Sequence, residues 1–387
     1  MRIAFICSGL EPGRDGVGDF ARTLARACAA LGHETRLVSV REQAVPGEKS
    51  AETGELRLRD VFENFDEAKA LAQWLREFQP DWVSVQYTPF GFHPQGLGAR
   101  RAKALRELLP AGARRQIMLH EIWLQPGRDG ALRHRALGWA QKRSVDAWAG
   151  WGWHPALIHT QARLHRARLE ARGFAAELQP LCSNFPRAGI SPAAARAKVA
   201  EGLRANGQQP DEAALWIGHF GAFHALNWNF GEFAKKMAAR TDWHGRRICF
   251  LALGRSMAAQ IEYDKAARAA PQAEFCFVGE LEEADVPVAL AACDAGFTST
   301  PWDIFEKSGA VAAWRGADVP VLVTRAGATD AAKLPAWPDA GVILADANTP
   351  WAAERILTRA PGPAFLEPAH AARDFITALE NAPATRT

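Results

Sequence analysis

Apolar residues along this chain recur with two alternating periods. Arg2 to Cys7 is a short β-type run. After a glycine-containing loop, Val17, Phe20, Ala21, Leu24, Ala25, Cys28 and Leu31 fall at helical spacing, with Asp19, Arg22, Thr23 and Arg26 on the opposite face. Gly32-His33 ends that helix, and Thr35 to Val40 reads as the next strand. Residues 41–60 are polar and read as irregular. The alternation then resumes, with predicted helices at 66–78, 98–109, 132–148 and 162–172, each leading into a strand, at 82–85, 116–119, 156–159 and 177–181. Ser183-Asn184-Phe185-Pro186 interrupts the pattern and reads as the start of a linker. A second series follows: strands at 215–220, 248–253, 274–278 and 296–300, separated by helices at 230–239, 257–269 and 286–292, with a terminal helix at 368–379.

Strands that alternate with helices form parallel sheets covered on both faces. The pattern therefore predicts an α/β chain of two Rossmann-like, doubly wound parallel-sheet domains, residues 1–185 and 186–362. Residues 363–387 are expected to pack back on the first domain. The length of 387 residues agrees with two domains.

Composition narrows the function by exclusion. A net charge of +3 gives no case for nucleic acid. No zinc-type cysteine pair, His-Glu-x-x-His, P-loop or Asp-x-Asp spacing occurs, so no metal is expected. The six cysteines are scattered through apolar runs and read as buried thiols of a reducing compartment. The first residues have too short an apolar core for a signal peptide, and no run approaches the ~20 residues of a membrane span. The expectation is a cytoplasmic protein.

Ligands of open parallel sheets sit beyond the carboxyl ends of the strands, and the unusual polar and glycine positions fall there. The first strand is followed by Gly13-Arg14-Asp15-Gly16-Val17-Gly18-Asp19, and Val85 by Gln86, Tyr87 and the loop from Phe90 to His93. His120-Glu121 follows Leu119, the loop from Gly221 to Trp228 with His224 follows Phe220, and Gly254-Arg255 follows Leu253. Two sheets facing each other through these edges would enclose one cleft. The first loop is spaced GxxGxG rather than GxGxxG, so it reads either as a plain strand–helix turn or as backbone that approaches a ligand. Asp19 reads either as a favourable charge at a helix start or as a direct participant.

The densest chemistry lies between Phe297 and Arg325. A strand ends at Thr300, a Pro-Trp-Asp loop follows, and Glu306-Lys307-Ser308-Gly309 opens an alanine-rich helix before the apolar run from Val319 to Thr324. A helix start offers free amides and partial positive charge to a phosphate. Lys307 adds a full charge, and Glu306 could accept hydrogen bonds from hydroxyls beside it. Two basic stretches, Arg100, Arg101, Lys103, Arg106, Arg114 and Arg115, and Arg163, Arg166, Arg168 and Arg172, read either as solvated helix faces or as a contact to an anionic membrane surface or acidic acceptor. Among the fourteen tryptophans, Trp123, Trp151, Trp153 and Trp228 read either as core or as platforms for sugar rings or an apolar acceptor.

In order and spacing these segments resemble a GT-B glycosyltransferase, most similar to the retaining family 4 type. The resemblance rests on the Gly16-to-Phe20 segment followed by Gly32-His33-Glu34, on His120-Glu121, on the Gly221-to-Trp228 loop, on Val278-Gly279-Glu280, and on Glu306-Lys307-Ser308-Gly309 leading to Val319-Pro320-Val321. It implies a nucleotide-diphosphate sugar as co-substrate, with no further cofactor, and a sugar, glycan or lipid-linked acceptor, met in the cytoplasm or at the inner face of the membrane. It implies that Ser308 and Gly309 amides hold the diphosphate, with Arg255 and Lys307 as positive partners and His224 in the same neighbourhood. Gly16, Val17 and Gly18 would approach the donor phosphates. Glu306 would contact a sugar hydroxyl, His120 would line the reaction centre, and Asp19, Gln86, Tyr87 and Glu121 would line the cleft. One departure stands out: where the family usually carries a second glutamate for the ribose, this chain reads Ala312-Ala313-Trp314. A nucleotide-sugar epimerase on the same fold and a catalytically silent sugar-nucleotide or glycan binder are the alternative readings.

Overall fold

The structure is a computed structural model. It describes residues 1–43, 49–50, 55–124, 132–221, 223, 228–254, 257–327, 337–346 and 351–383. Along the chain the elements are β1 (Arg2–Cys7), α1 (Gly16–Ala30), β2 (Glu34–Ser39), β3 (Lys49–Ser50), β4 (Glu55–Arg57), α2 (Phe65–Phe78), β5 (Trp82–Tyr87), α3 (Pro89–Phe92), α4 (Ala99–Glu107), β6 (Arg114–Leu119), α5 (Leu132–Ala149), β7 (Leu157–Thr160), α6 (Arg163–Glu170) and β8 (Glu177–Leu178). They continue with α7 (Pro192–Ala205), β9 (Leu215–Phe220), α8 (Phe230–Ala238), β10 (Ile248–Leu253), α9 (Met257–Ala269), β11 (Glu274–Gly279), α10 (Val286–Ala292), β12 (Ala295–Thr298), α11 (Gly309–Gly316), β13 (Val321–Val323), β14 (Val342–Leu344), α12 (Glu354–Leu357) and α13 (Pro368–Asn381). The chain divides into two compact units, Met1–Leu181 with Pro368–Thr387, and Cys182–Glu367.

The first unit is a sheet in the order β3-β4-β2-β1-β5-β6-β7-β8, parallel throughout except for the antiparallel pair β3–β4. Strand β4 lies in the stretch that the polar pattern marked as irregular. Its polarity hid it, because Glu55 is buried and neutralised by Arg22, whose Nε donates to Glu55 Oε1 at 2.6 Å. One sheet face is apolar, with Ile6, Val83, Val85 and Ile117 against Leu75, Phe78, Leu105 and Trp148 of α2, α4 and α5. The other face lies under α1 and α13 and carries polar side chains at alternate strand positions.

The second unit runs β11-β10-β9-β12-β13-β14, all parallel. Chain order reverses between β9 and β12, so their carboxyl ends form the switch point at which such sheets bind ligands. Alternation sorts the core residues to two faces. Trp216, Leu251 and Val321 share one cluster with residues of α7, α10 and α11, and Ile217, Phe250, Phe297 and Leu322 share the other with residues of α8 and α9.

Two consecutive residues fix α11 in this unit. Trp314 is fully buried. It lies over Gly218 and Gly296, which face each other in register across β9 and β12, and a Cβ on either glycine would overlap the indole. Arg315 is 1% exposed. Its Nε donates to Asp339 Oδ2 at 2.8 Å and its Nη2 to Asp339 Oδ1 at 3.0 Å, while Nη2 also reaches the carbonyls of Ala360 and Pro361 at 3.1 Å. Thus α11 is held to the sheet by an indole and to the later segments by a buried ion pair. No helix among the described residues is long and apolar enough to cross a membrane.

Removing one partner of such a pair leaves a buried charge and costs about 3–5 kcal/mol, whereas an apolar replacement of both is nearly neutral or better. Asp339→Ala is therefore expected to lower the urea midpoint strongly, and the double variant Arg315→Met/Asp339→Leu to recover most of the loss. Equal midpoints for the single and double variants would contradict this account of the pair.

Candidate functional site

In the second unit the candidate site begins where β12 ends. The segments after β12 and β13 are laced together. Trp302 N donates to the Arg325 carbonyl at 2.8 Å, Thr324 Oγ1 to the Thr298 carbonyl at 3.0 Å, and Arg325 Nη1 to the Ser299 carbonyl at 3.3 Å. Trp302 packs on Phe305 at 4.8 Å between ring centres. Gly327 has φ +86°, and a Cβ there would overlap the buried Asp303 carboxylate, so glycine is required on both counts. A 3-10 turn, Phe305–Lys307, leads into α11. Glu306 is 5% exposed, and Lys307 is half-buried. Ser308 caps α11 by accepting a hydrogen bond from Val311 N at 3.4 Å, and Gly309 is exposed at the first helical position. A carboxylate, a cation and a capped helix start are thus brought to the switch point of this sheet. His224, Asn227 and Arg255 lie outside the described residues. Trp314, at the position of the resembled family's second glutamate, points into the core.

In the first unit the loop after β1 is built around acids. Asp15 Oδ1 accepts hydrogen bonds from Val17 N and Gly18 N, both at 3.0 Å. The Asp19 carboxylate accepts from Gly13 N at 3.1 Å and from Arg22 Nη1 at 3.1 Å. Buried Glu42 accepts from Leu10 N at 2.8 Å. The Val17 and Gly18 amides, read above as approaching phosphate, therefore carry an internal anionic cap, and Asp19 closes the loop. Burial raises the Asp15 carboxyl above the usual carboxylate range. Its hydrogen bonds from Gly18 and Val17 pull it back, and the charge of Glu42 adds to the rise. Gly18 is packed so tightly that a Cβ would come within 2.7 Å of the Gly9 carbonyl. Gly16 is exposed and Val17 half-buried.

His120 joins a line of buried polar groups across β5, β6 and β7. Its Nε2 faces Gln86 Oε1 at 2.9 Å and its Nδ1 faces Gln161 Oε1 at 3.1 Å. Gln86 Nε2 donates to Ser84 Oγ at 2.7 Å, Ser84 Oγ donates to Gln116 Oε1 at 2.5 Å, and Gln116 Nε2 meets His159 Nδ1 at 3.1 Å. Taken in this direction each group donates to the next, which places a proton on His120 Nε2 and leaves His159 Nδ1 as an acceptor. His120 is 4% exposed, and Phe20 packs edge-on against its ring at 5.4 Å. Both ring nitrogens of His120 thus face side-chain amide oxygens, those of Gln161 and Gln86. Glu121 follows it, half-buried.

Some expected positions fall elsewhere. Strand β5 extends through Gln86 and Tyr87, both fully buried. Tyr87 does not line a cleft: its ring packs between Phe92 at 5.5 Å and Trp148 at 5.0 Å. Burial raises its hydroxyl pKa. Its aromatic body decides the place, because the apolar face of β5 continues to the end of the strand. Gln86 instead supports His120 from beneath. The basic stretches are largely engaged within the unit. Arg101 donates to the Phe92 carbonyl at 2.6 Å and to Glu63 at 2.8 Å, Arg114 to the Ala382 carbonyl at 2.7 Å, Arg115 to the His154 carbonyl at 3.0 Å, and Arg163 is buried. Trp153 is core, whereas Trp151 is exposed. Trp228 stacks on Phe230 at 5.8 Å. The cap Asp15 and the line Ser84, Gln116, His159 and Gln161 were missed in the sequence, although their period-two spacing in otherwise apolar strands is a readable signal. Among the described residues no cluster of His, Cys, Asp and Glu could hold a metal ion.

No family model and no curated protein matches the chain. Solved structures do. HepE from Anabaena, in complex with UDP and glucose, superposes with a TM-score of 0.55 at 15% identity over 98% of this chain and 90% of its own. WaaG, a glycosyltransferase involved in lipopolysaccharide biosynthesis, gives 0.54 at 15% identity over 97% and 95%. The UDP-GlcNAc 2-epimerase from Methanocaldococcus jannaschii gives 0.51 at 12% identity over 98% and 100%. The fold is GT-B. At this identity the likeness defines the architecture and leaves the reaction to the site.

Burial of His159 lowers its pKa from 6.5 to about 4. The unfolded chain therefore binds the proton first. Stability from this group is complete above about pH 6.5 and is lost as pH falls toward 4, by about 3 kcal/mol in all. His159→Gln is expected to flatten the fall of the urea midpoint between these pH values. Parallel pH profiles for parent and variant would refute that assignment.

Proposed function

We propose that this chain is a GT-B glycosyltransferase that moves a hexose from a nucleotide-diphosphate sugar to a sugar, glycan or lipid-linked acceptor, with retention of configuration and without a metal. The observation that carries the reading is the likeness to HepE, bound to UDP and glucose, across almost the whole length of both chains. The second unit is assigned the donor: the start of α11 at Ser308 and Gly309, with Lys307, meets the diphosphate, and Glu306 accepts hydrogen bonds from sugar hydroxyls. The first unit is assigned the acceptor, with His120 held by Gln86 as a fixed polar group. In the transfer, the bond from the anomeric carbon to the β-phosphate oxygen breaks and the bond to the acceptor oxygen forms. The acceptor proton passes to the departing phosphate. Catalysis then rests on positioning and on stabilising the leaving charge.

A second reading, epimerisation of the sugar nucleotide itself, is favoured by the likeness to the 2-epimerase over the full length of that chain. The two separate when the protein is incubated with nucleotide sugars alone and with acceptors. The transferase reading expects a glycoside of retained anomeric configuration by NMR only when acceptor is present, and a loss of kcat/KM of about 100-fold or more in Glu306→Ala. An epimerised nucleotide sugar formed from donor alone would establish the second reading. Donor binding without turnover in any combination would mark a silent binder.

A further inference from the structure

The flank of the first unit formed by α5 and the turn after α6 carries a pocket of ~330 Å³, lined by Trp139, Lys142, Arg143, Asp146, Trp151 and Arg172. None of these residues belongs to the loops after β1, β5 or β6. The volume lies at the lower end of the range of about 300–1,000 Å³ typical of small-ligand sites. Its aromatic walls are unusual. Trp139 is 61% exposed and Trp151 59% exposed, although large aromatic side chains normally gain from burial.

The walls are held in place. Trp139, Lys142, Arg143 and Asp146 follow one another at helical spacing on a single face of α5, whose opposite face is anchored by buried Val145 and Trp148. Trp151 projects from a tight turn in which Gly152 N and Trp153 N donate to the Ala147 carbonyl at 2.8 and 2.9 Å, and His154 N donates to the Gly150 carbonyl at 2.7 Å. A Cβ at Gly152 would come within 2.8 Å of the Ala147 carbonyl, and the following Trp153 is fully buried against Trp148. Arg172 is gripped by Asp146 through two hydrogen bonds, with Nε to Oδ1 at 2.6 Å. The Arg143 guanidinium lies 5.2 Å from the Trp139 ring centre, and Lys142 and Arg172 approach Trp123 at 5.6 and 5.8 Å.

Two exposed indoles, carried on a helix and a hydrogen-bonded turn, suit the apolar C–H faces of pyranose rings. Three cations against one carboxylate leave a positive surplus beside them, suited to carboxylate, sulfate or phosphate groups on those rings. From this geometry we infer that the α5 flank is a second carbohydrate site, distinct from the candidate reaction centre, that binds an acidic oligosaccharide. The inference goes beyond the transferase reading and does not require turnover.

The test is calorimetric titration of the full chain with tetragalacturonate, with maltotetraose as the neutral equivalent and phosphatidylglycerol vesicles as an anionic surface without sugar. Tetragalacturonate is expected to bind at least about tenfold more tightly than maltotetraose, a difference of about 1.4 kcal/mol, and to weaken with salt. Trp139→Ala, Trp151→Ala and Arg143→Gln are each expected to weaken it about tenfold with unchanged circular dichroism and melting, since they change exposed side chains. No binding of tetragalacturonate, equal binding of both saccharides, or affinity unaffected by all three variants would overturn the inference. Vesicle binding that these variants abolish, with no saccharide bound, would make the flank a membrane contact instead.

Discussion

Trp314 fits into its unit only because the two strands beneath it carry glycine at paired register positions. Gly218 and Gly296 face each other across β9 and β12, and any side chain on either would occupy the space of the indole. This one contact seats α11 on the sheet at its switch point, and so sets where Ser308, Lys307 and Glu306 stand. Arg315, the next residue, closes the other side of the helix with Asp339. The start of α11 is therefore placed by this packing together with the laced loop before it. The same packing explains the departure from the resembled family. A carboxylate at position 314 would be buried in an apolar cluster with no partner, which is unfavourable by several kcal/mol per charge, so a ribose contact from that position is incompatible with this core.

The first unit solves a different problem. Its sheet is covered on both faces, yet β5, β6 and β7 carry Ser84, Gln86, Gln116 and His159 beneath α1 and α13. Buried polar groups are costly unless they are hydrogen-bonded. Here they satisfy one another in sequence, with a single direction of donation that starts at His120 and ends at His159. The price of that line is paid in pH tolerance, because His159 must stay neutral. The acids around Leu10 follow the same logic: Asp15, Asp19 and Glu42 bond to loop amides, while Arg22 neutralises Asp19 and Glu55.

Much of the architecture was legible because period-two and period-3.6 runs are long in this chain and separate cleanly, as in β1 with α1 and β9 with α8. Strand β4 was not, because Glu55 and Arg57 look like surface residues until their ion pairs are seen. Tyr87 and Gln86 were read as loop because the apolar run pauses at Gln86, where the strand in fact continues. At the site, the residue types between Glu306 and Gly309 could be read from their place after a strand. The occupation of the Val17 and Gly18 amides by Asp15 could not, because an aspartate before a helix can either cap it or leave its amides to a ligand.

The central claim is that the start of α11 receives the diphosphate of a nucleotide sugar without help from position 314. Hydrogen exchange of the full chain with and without saturating nucleoside diphosphate tests it directly. The account predicts slowed exchange in the peptide covering residues 305–312, in the parent and also in Trp314→Phe, where the aromatic packing is kept. Protection confined to other parts of the chain, with residues 305–312 exchanging as in the free protein, would contradict it.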